Sequence, residues 1–273
     1  MTPQPRAGTR AGLLVAWAGA WIAGRAAYDD VLTNVTGNDE PHRVVGLPGA
    51  AADERRVEPD PIAVADPSVP LGWLLPELRR HGGCALVLPA PGDPRGVPPG
   101  DFGAAALTAG EGVVVGAGDA GLGLVPSVTR HGSDIGSGTV FVRWDCFPID
   151  GLPLDPLGVP EAEHDLADAL RSAAAELAEL DVASWRPESA AAVAGVRRAA
   201  GPSLPAGHDQ RAIRLLAQAD RLAAVLDLAD ADAPGGAVTA AEALARSEAL
   251  RPLGRAVRRA RLAAYNADAL PRR

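Results

Sequence analysis

Between Gly83 and Cys146 the chain is a succession of short apolar runs punctuated by glycine, a pattern that builds a sheet more readily than anything else. Cys84-Ala-Leu-Val-Leu88 leads into a Pro/Gly loop, and Val113-Val-Val115, Leu122–Val128 and Thr139–Cys146 are runs of strand length. The unbroken apolar run 84–88 suits a strand buried on both faces. A helix is expected over Asp101–Ala109, and its insertion before Val113 leaves room for a parallel pair joined by a right-handed crossover. Glycine-rich links between the later runs suit antiparallel hairpins, with Pro126 marking a candidate edge strand. The expected fold class is α+β, a mixed sheet of four to five strands with flanking helices.

The second half has a different period. Pro148, Pro153, Pro156 and Pro160 punctuate the chain and place a boundary near residue 150, giving a sheet domain over 1–150 and a helical region over 151–273. Leu166, Leu170, Ala173, Leu177 and Leu180 step by four and three, as one helix face requires, within 161–182. Leu215, Ala219, Leu222, Leu226 and Ala229 repeat the pattern within 208–230. Pro187 opens a short helix to Ala200, and Thr239-Ala-Ala-Glu242 spells a capping box. Pro252 is expected to separate that helix from a last one carrying Leu253, Val257, Ala260 and Ala264. Short connections suggest an antiparallel bundle.

Upstream, Ala11–Ala23 is apolar behind Arg6 and Arg10, as in an export signal, but Arg25 stands where a small-residue cleavage site should be. The run is shorter than the roughly 20 residues a membrane span needs. Leu14, Trp17, Trp21 and Tyr28 recur at helical spacing, so a packed amphipathic helix and a cytoplasmic location are expected. Helices are also expected at 27–35, ended by Gly37, and at 71–81, with Pro76 either kinking the second or delaying its start. Val44–Leu47 reads as a strand, and 48–70 as a long loop.

Composition limits the possible partners. The 26 basic residues are all Arg, and the net charge of −8 disfavours general nucleic-acid binding. Of Arg251, Arg255, Arg258, Arg259 and Arg261, three share one helical stripe by their i, i+4, i+7 spacing; it could meet phosphate groups or an acidic partner, but reads better as a solvated face pairing with the protein's own acids. Cys84 and Cys146 each sit in an apolar run and read as inert buried thiols.

No complete catalytic set is present. Gly116-Ala-Gly118-Asp-Ala-Gly121 spells a dinucleotide fingerprint, yet the residues after it are strand material with Pro126, where a helix N-terminus is required. Glu161, His164, Asp165 and Asp168 share one helix face, but a second Glu-x-x-His is missing and an acidic first turn explains them. No cofactor or metal is therefore expected. One place remains for a ligand: the loop after Cys84–Leu88, where Asp93 and Arg95, joined by His42 and Arg43, could line a polar cleft.

Arg6–Leu14, Asp39-Glu-Pro-His-Arg43 and Ala-Ala-Tyr265-Asn resemble uncharacterised proteins of GC-rich actinobacteria, a resemblance that implies no activity. The expected function is a non-catalytic cytosolic binding or interaction module, with a protein partner or a second copy meeting the helical region. The alternative is a small-molecule enzyme or ligand-binding protein using the 89–96 loop.

Overall fold

The structure is a computed structural model that describes residues 8–39, 41–49, 68–94, 96–116, 121–131, 139–150, 157–179, 201–231 and 240–268. The chain divides into two units. The first is Met1–Asp155 with Pro202–His208 and Asp268–Arg273, and the second is Pro156–Gly201 with Asp209–Ala267.

The first unit is built around helix α1 (Arg10–Ile22). Thr9 caps it, its hydroxyl accepting from the Gly12 N–H at 3.0 Å. All ten residues from Ala11 to Ala20 are buried, so α1 has no solvent face over that length. A helix apolar all round needs neighbours all round. Here α2 (Tyr28–Thr36), α3 (Leu74–Arg80) and the sheet pack against it. The segment 202–208 also returns to it, the Trp17 indole donating to the Ser203 carbonyl at 3.0 Å. The one-faced helix expected from the spacing of Leu14, Trp17 and Trp21 is thus corrected to a central core helix. The alanines and glycines between those residues let neighbours approach the remaining sides.

The sheet has six described strands: β1 (Arg43–Val45), β2 (Ser68–Pro70), β3 (Cys84–Val87), β4 (Gly112–Val115), β5 (Gly121–His131) and β6 (Thr139–Ile149). Their order is β2-β1-β6-β5-β4-β3. Only β1 and β6 are parallel; the other neighbours are antiparallel. The mixed α+β class stands, with more strands than the four to five expected. The additional β2, three residues long, lies at the end of the 48–70 stretch and is too short to leave a period.

The parallel pairing expected for β3 and β4 is corrected to antiparallel. The intervening α4 (Asp101–Ala109) packs on β5 and β6, so the chain doubles back beside β3 without a crossover. Pro126 lies on an interior strand, but just beyond the Leu122–Leu124 segment that β4 pairs, where β5 has a neighbour on one side only.

Side chains alternate across this sheet. Val87, Val114 and Val125 meet Phe102 and Ala106 of α4, and the opposite face carries the residues beneath α1. Phe102 needs glycine under its ring: a Cβ at Gly123 would sit 2.3 Å from it. In α3, Pro76 falls in the first turn, preceded by a 3-10 turn at Leu71–Trp73. That is the late start expected, because a first-turn N–H has no intrahelical acceptor to lose.

The second unit holds α5 (Val159–Glu179), α6 (Gln210–Ala231) and α7 (Ala240–Asn266). Its core joins Ala162, Leu166 and Ala173 to Leu215, Ala219, Leu253, Val257 and Ala260. The break expected at Pro252 is corrected: α7 runs through it. Arg251 and Pro252 are exposed while Leu253, Ala256 and Val257 are buried. Packing of the buried stripe holds the helix across one lost backbone bond. The helix expected at 187–200 and the capping box at Thr239 lie outside the described residues.

Candidate functional site

His42 and Arg43 are consecutive, and the sheet sends them to opposite faces. His42 is buried on the covered side, while Arg43 stands half-exposed on the other face at the start of β1.

On the covered side, the Trp144 indole N–H donates to His42 Nδ1 at 3.2 Å. With Nδ1 accepting, the ring proton belongs on Nε2, 3.4 Å from Asp39 Oδ2. Arg10 donates to the same carboxylate oxygen through Nε at 3.1 Å and Nη2 at 2.9 Å. Beside this array, Glu111 Oε2 accepts the Ala11 N–H at 2.8 Å, satisfying an amide of the first turn of α1. Burial pushes the Glu111 carboxyl above its ordinary range, an effect opposed by the Ala11 N–H and by the charge of Arg10. This polar cluster fixes the start of the core helix. The His42 side chain has no exposure, so its imidazole is closed to a substrate.

On the other side, α4 covers the sheet only as far as Val125 and Phe147. Beyond that level the face is open among the described residues. Arg43 and Arg143 are register partners across the parallel β1–β6 pair, so their side chains leave the same face on neighbouring strands. Arg43 donates through Nε to the Ser68 hydroxyl at 3.1 Å and through Nη2 to the Ser68 carbonyl at 3.0 Å. Arg143 pairs with Asp145 at 2.9 Å, and the Ser127 hydroxyl donates to the second oxygen of that carboxylate at 3.1 Å. One step outward, His131 and Phe141 stack edge to face with centroids 5.4 Å apart. Ser127, Thr129 and His131 are exposed, and Phe141 and Arg143 half-buried. Of this constellation only Arg43 is among the residues expected from sequence to line a cleft. Period-2 alternation in Phe141-Val-Arg143-Trp-Asp145 carries the signal for the rest.

The structure does not bring the other predicted site residues here. Asp93 closes a tight turn with Ala90, exchanging backbone bonds of 3.2 and 2.8 Å, after edge strand β3. Three strands stand between β3 and β1, about 19 Å at the usual spacing. Arg95 lies outside the described residues, as do 117–120 of the glycine motif. Gly121 itself opens β5, antiparallel to β4, so the motif is followed by a strand and not a helix.

In the helical unit, Asp165 pairs with Arg259 at 2.9 Å, Asp220 with Arg261 at 2.7 Å and Glu163 with Arg211 at 2.6 Å. These pairs occupy part of both the acidic turn and the arginine stripe, and His164 is exposed. Cys84 and Cys146 sit on β3 and β6 with two strands between them, roughly 14 Å and too far for a disulfide. Burial pushes both thiols up to about 12, with the Asp145 charge adding to the effect at Cys146.

Residues 11–164 match the family model described as Rv1486c-like protein, N-terminal domain, and residues 160–262 match Rv1486c-like protein, C-terminal domain. The chain is 30% identical to uncharacterised protein Rv1486c of Mycobacterium tuberculosis H37Rv, over 92% of this chain and 94% of the relative. It is 28% identical to uncharacterised protein ML1804 of Mycobacterium leprae, over 93% and 95%. No solved structure matches. The actinobacterial resemblance is thereby given its family: the chain belongs to the Rv1486c-like proteins.

Proposed function

We propose that this protein is a non-catalytic cytosolic binding module whose docking surface is the open face of β1, β6 and β5. The observation that carries this reading is the divergence at His42 and Arg43. The His42 imidazole is sealed in the core, while arginines, hydroxyls and an aromatic pair face outward from the strands. Arginine and aromatic side chains are the types that dominate binding energy at interfaces. Cell fractionation checks the cytosolic part of this reading. The helical region is the weaker docking candidate, because several of its charges pair within the unit.

Photo-crosslinking tests the surface. A photoreactive residue is placed at Thr129 on the open face, at Leu107 on α4, or at Leu244 on α7, in an actinobacterial host. Adducts concentrated at Thr129 are expected. Adducts at Leu244 with none at Thr129 would move the docking surface to the helical unit.

A further inference from the structure

We propose that the β5 edge from Pro126 to His131 takes an extended strand of a partner protein, with a carboxylate side chain of that strand meeting Arg130. The inference deepens the reading of the open face as a docking surface and rests on it. β4 pairs β5 only at Leu122–Leu124, so the rest of β5 has β6 on one side and no strand on the other among the described residues. Backbone groups of successive strand residues point to alternate edges. The Leu124 carbonyl points towards β4, since a Cβ at Gly112 would lie 3.3 Å from it. By that alternation the backbone groups of residues 126, 128 and 130 also point away from β6. Pro126, which has no N–H, thus stands at an outward position and costs the β5–β6 ladder no bond.

Val128 and Arg130 therefore turn their N–H groups outwards, interleaved with the carbonyls of Pro126, Val128 and Arg130. These groups have no hydrogen-bond partner among the described residues. Donors and acceptors in this alternating order are what an added strand bonds, and the side chains beside them choose the partner. Val128 is 40% exposed and offers an apolar contact. Arg130 is exposed, and its register partner on β6 is Val140, so β6 sets no acid opposite it. Asp145 is opposite Val125 and already pairs with Arg143. The remaining cross-strand position beside Arg130 belongs to the added strand, where an opposite charge is the favourable neighbour. A second copy does not supply it, because residues 126–131 contain no Asp or Glu to meet Arg130 when the edge pairs with itself.

The test is an amide NMR titration and hydrogen exchange of the full chain with the peptide acetyl-Thr-Val-Glu-Val-Thr-amide. Saturable shifts centred on residues 126–131 are expected, with slowed exchange of the Val128 and Arg130 amides. The Ser127 and Thr129 amides, which face β6, should be slow with or without peptide. A peptide with Gln in place of Glu should bind about fivefold more weakly, and R130Q should erase that preference. Val128→Pro removes an outward donor and spares the β6 ladder, so it should weaken both peptides; the dispersion of each spectrum reports whether the variant is folded. Equal binding of the two peptides, or fast exchange at Val128 and Arg130 at saturation, would overturn the proposal. Slowing of those amides that grows with protein concentration in the absence of peptide would assign the edge to a second copy and overturn it too. If the peptide fails to bind while Thr129 still crosslinks a partner, strand addition is wrong and the docking surface stands. Failure of both removes the surface as well.

Discussion

At the scale of single residues, the strongest demands come from polar groups sealed in the core. The Trp144 indole has His42 Nδ1 as acceptor at a site with no exposure of the imidazole. His42→Leu removes that acceptor and leaves a buried donor unsatisfied, a loss of about 1–3 kcal/mol. Trp144→Phe in the His42→Leu background should then cost less than it does alone, because the donor has already lost its acceptor. Urea midpoints of the two single variants and the double variant measure this coupling; strict additivity would contradict the contact. Glu111 gives a second test, one with a sign. Its carboxyl titrates above the ordinary 4.5, mainly through burial. From 4.5 up to its own raised value, the folded chain keeps a proton that the unfolded chain has released. Glu111 therefore favours folding at the acid end, and that contribution is lost as pH rises through the folded pKa. The stability of the protein relative to E111Q should fall as pH rises above 4.5, and a constant difference would refute the assignment.

At the scale of elements, Pro252 shows what periodicity conveys and what it omits. The stripe Leu253, Val257, Ala260 and Ala264 is legible in the sequence and is buried, yet the break assigned to the proline is absent. Local propensity lost to the packing of that stripe against α5 and α6. Pro252→Ala should restore a backbone bond and stabilise the unit by up to about 3 kcal/mol, read as a higher denaturation midpoint. No change or a loss would mean that the helix does not carry the strain its geometry implies. Helices with caps and clear faces, such as α2 ending at Gly37 and α4, are readable because their signals are local. Strand partners are not. The antiparallel turn-back from β3 to β4 depends on where α4 packs, and three-residue β2 carries no pattern of its own.

At the scale of the whole molecule, the candidate site is legible in part. His42 and Arg43 stand out in sequence as a polar pair, but their division between two faces comes from the β1–β6 register, a contact about a hundred residues apart in sequence. Asp93 stands out because a loop leaves a strand there, and the six-strand order puts it at the far edge. The return of 202–208 to the first unit has no sequence signal, since its bonds use the backbone carbonyls of Ser203 and Ala206, which accept from Trp17 and Arg25, and one hydroxyl, Ser203 Oγ, which donates to Asn34. The proposed reading turns on one division: the His42 side chain is buried in the core, while the sheet face beyond Val125 and Phe147 is open among the described residues. Diethyl pyrocarbonate modification of the folded protein, mapped by mass spectrometry, tests that division directly. His131 and exposed His164 should react in the native state, whereas buried His42 and His208 should react only after unfolding. Modification of His42 at the rate of His131 in the folded chain would contradict the sealed core and reopen the case for catalysis.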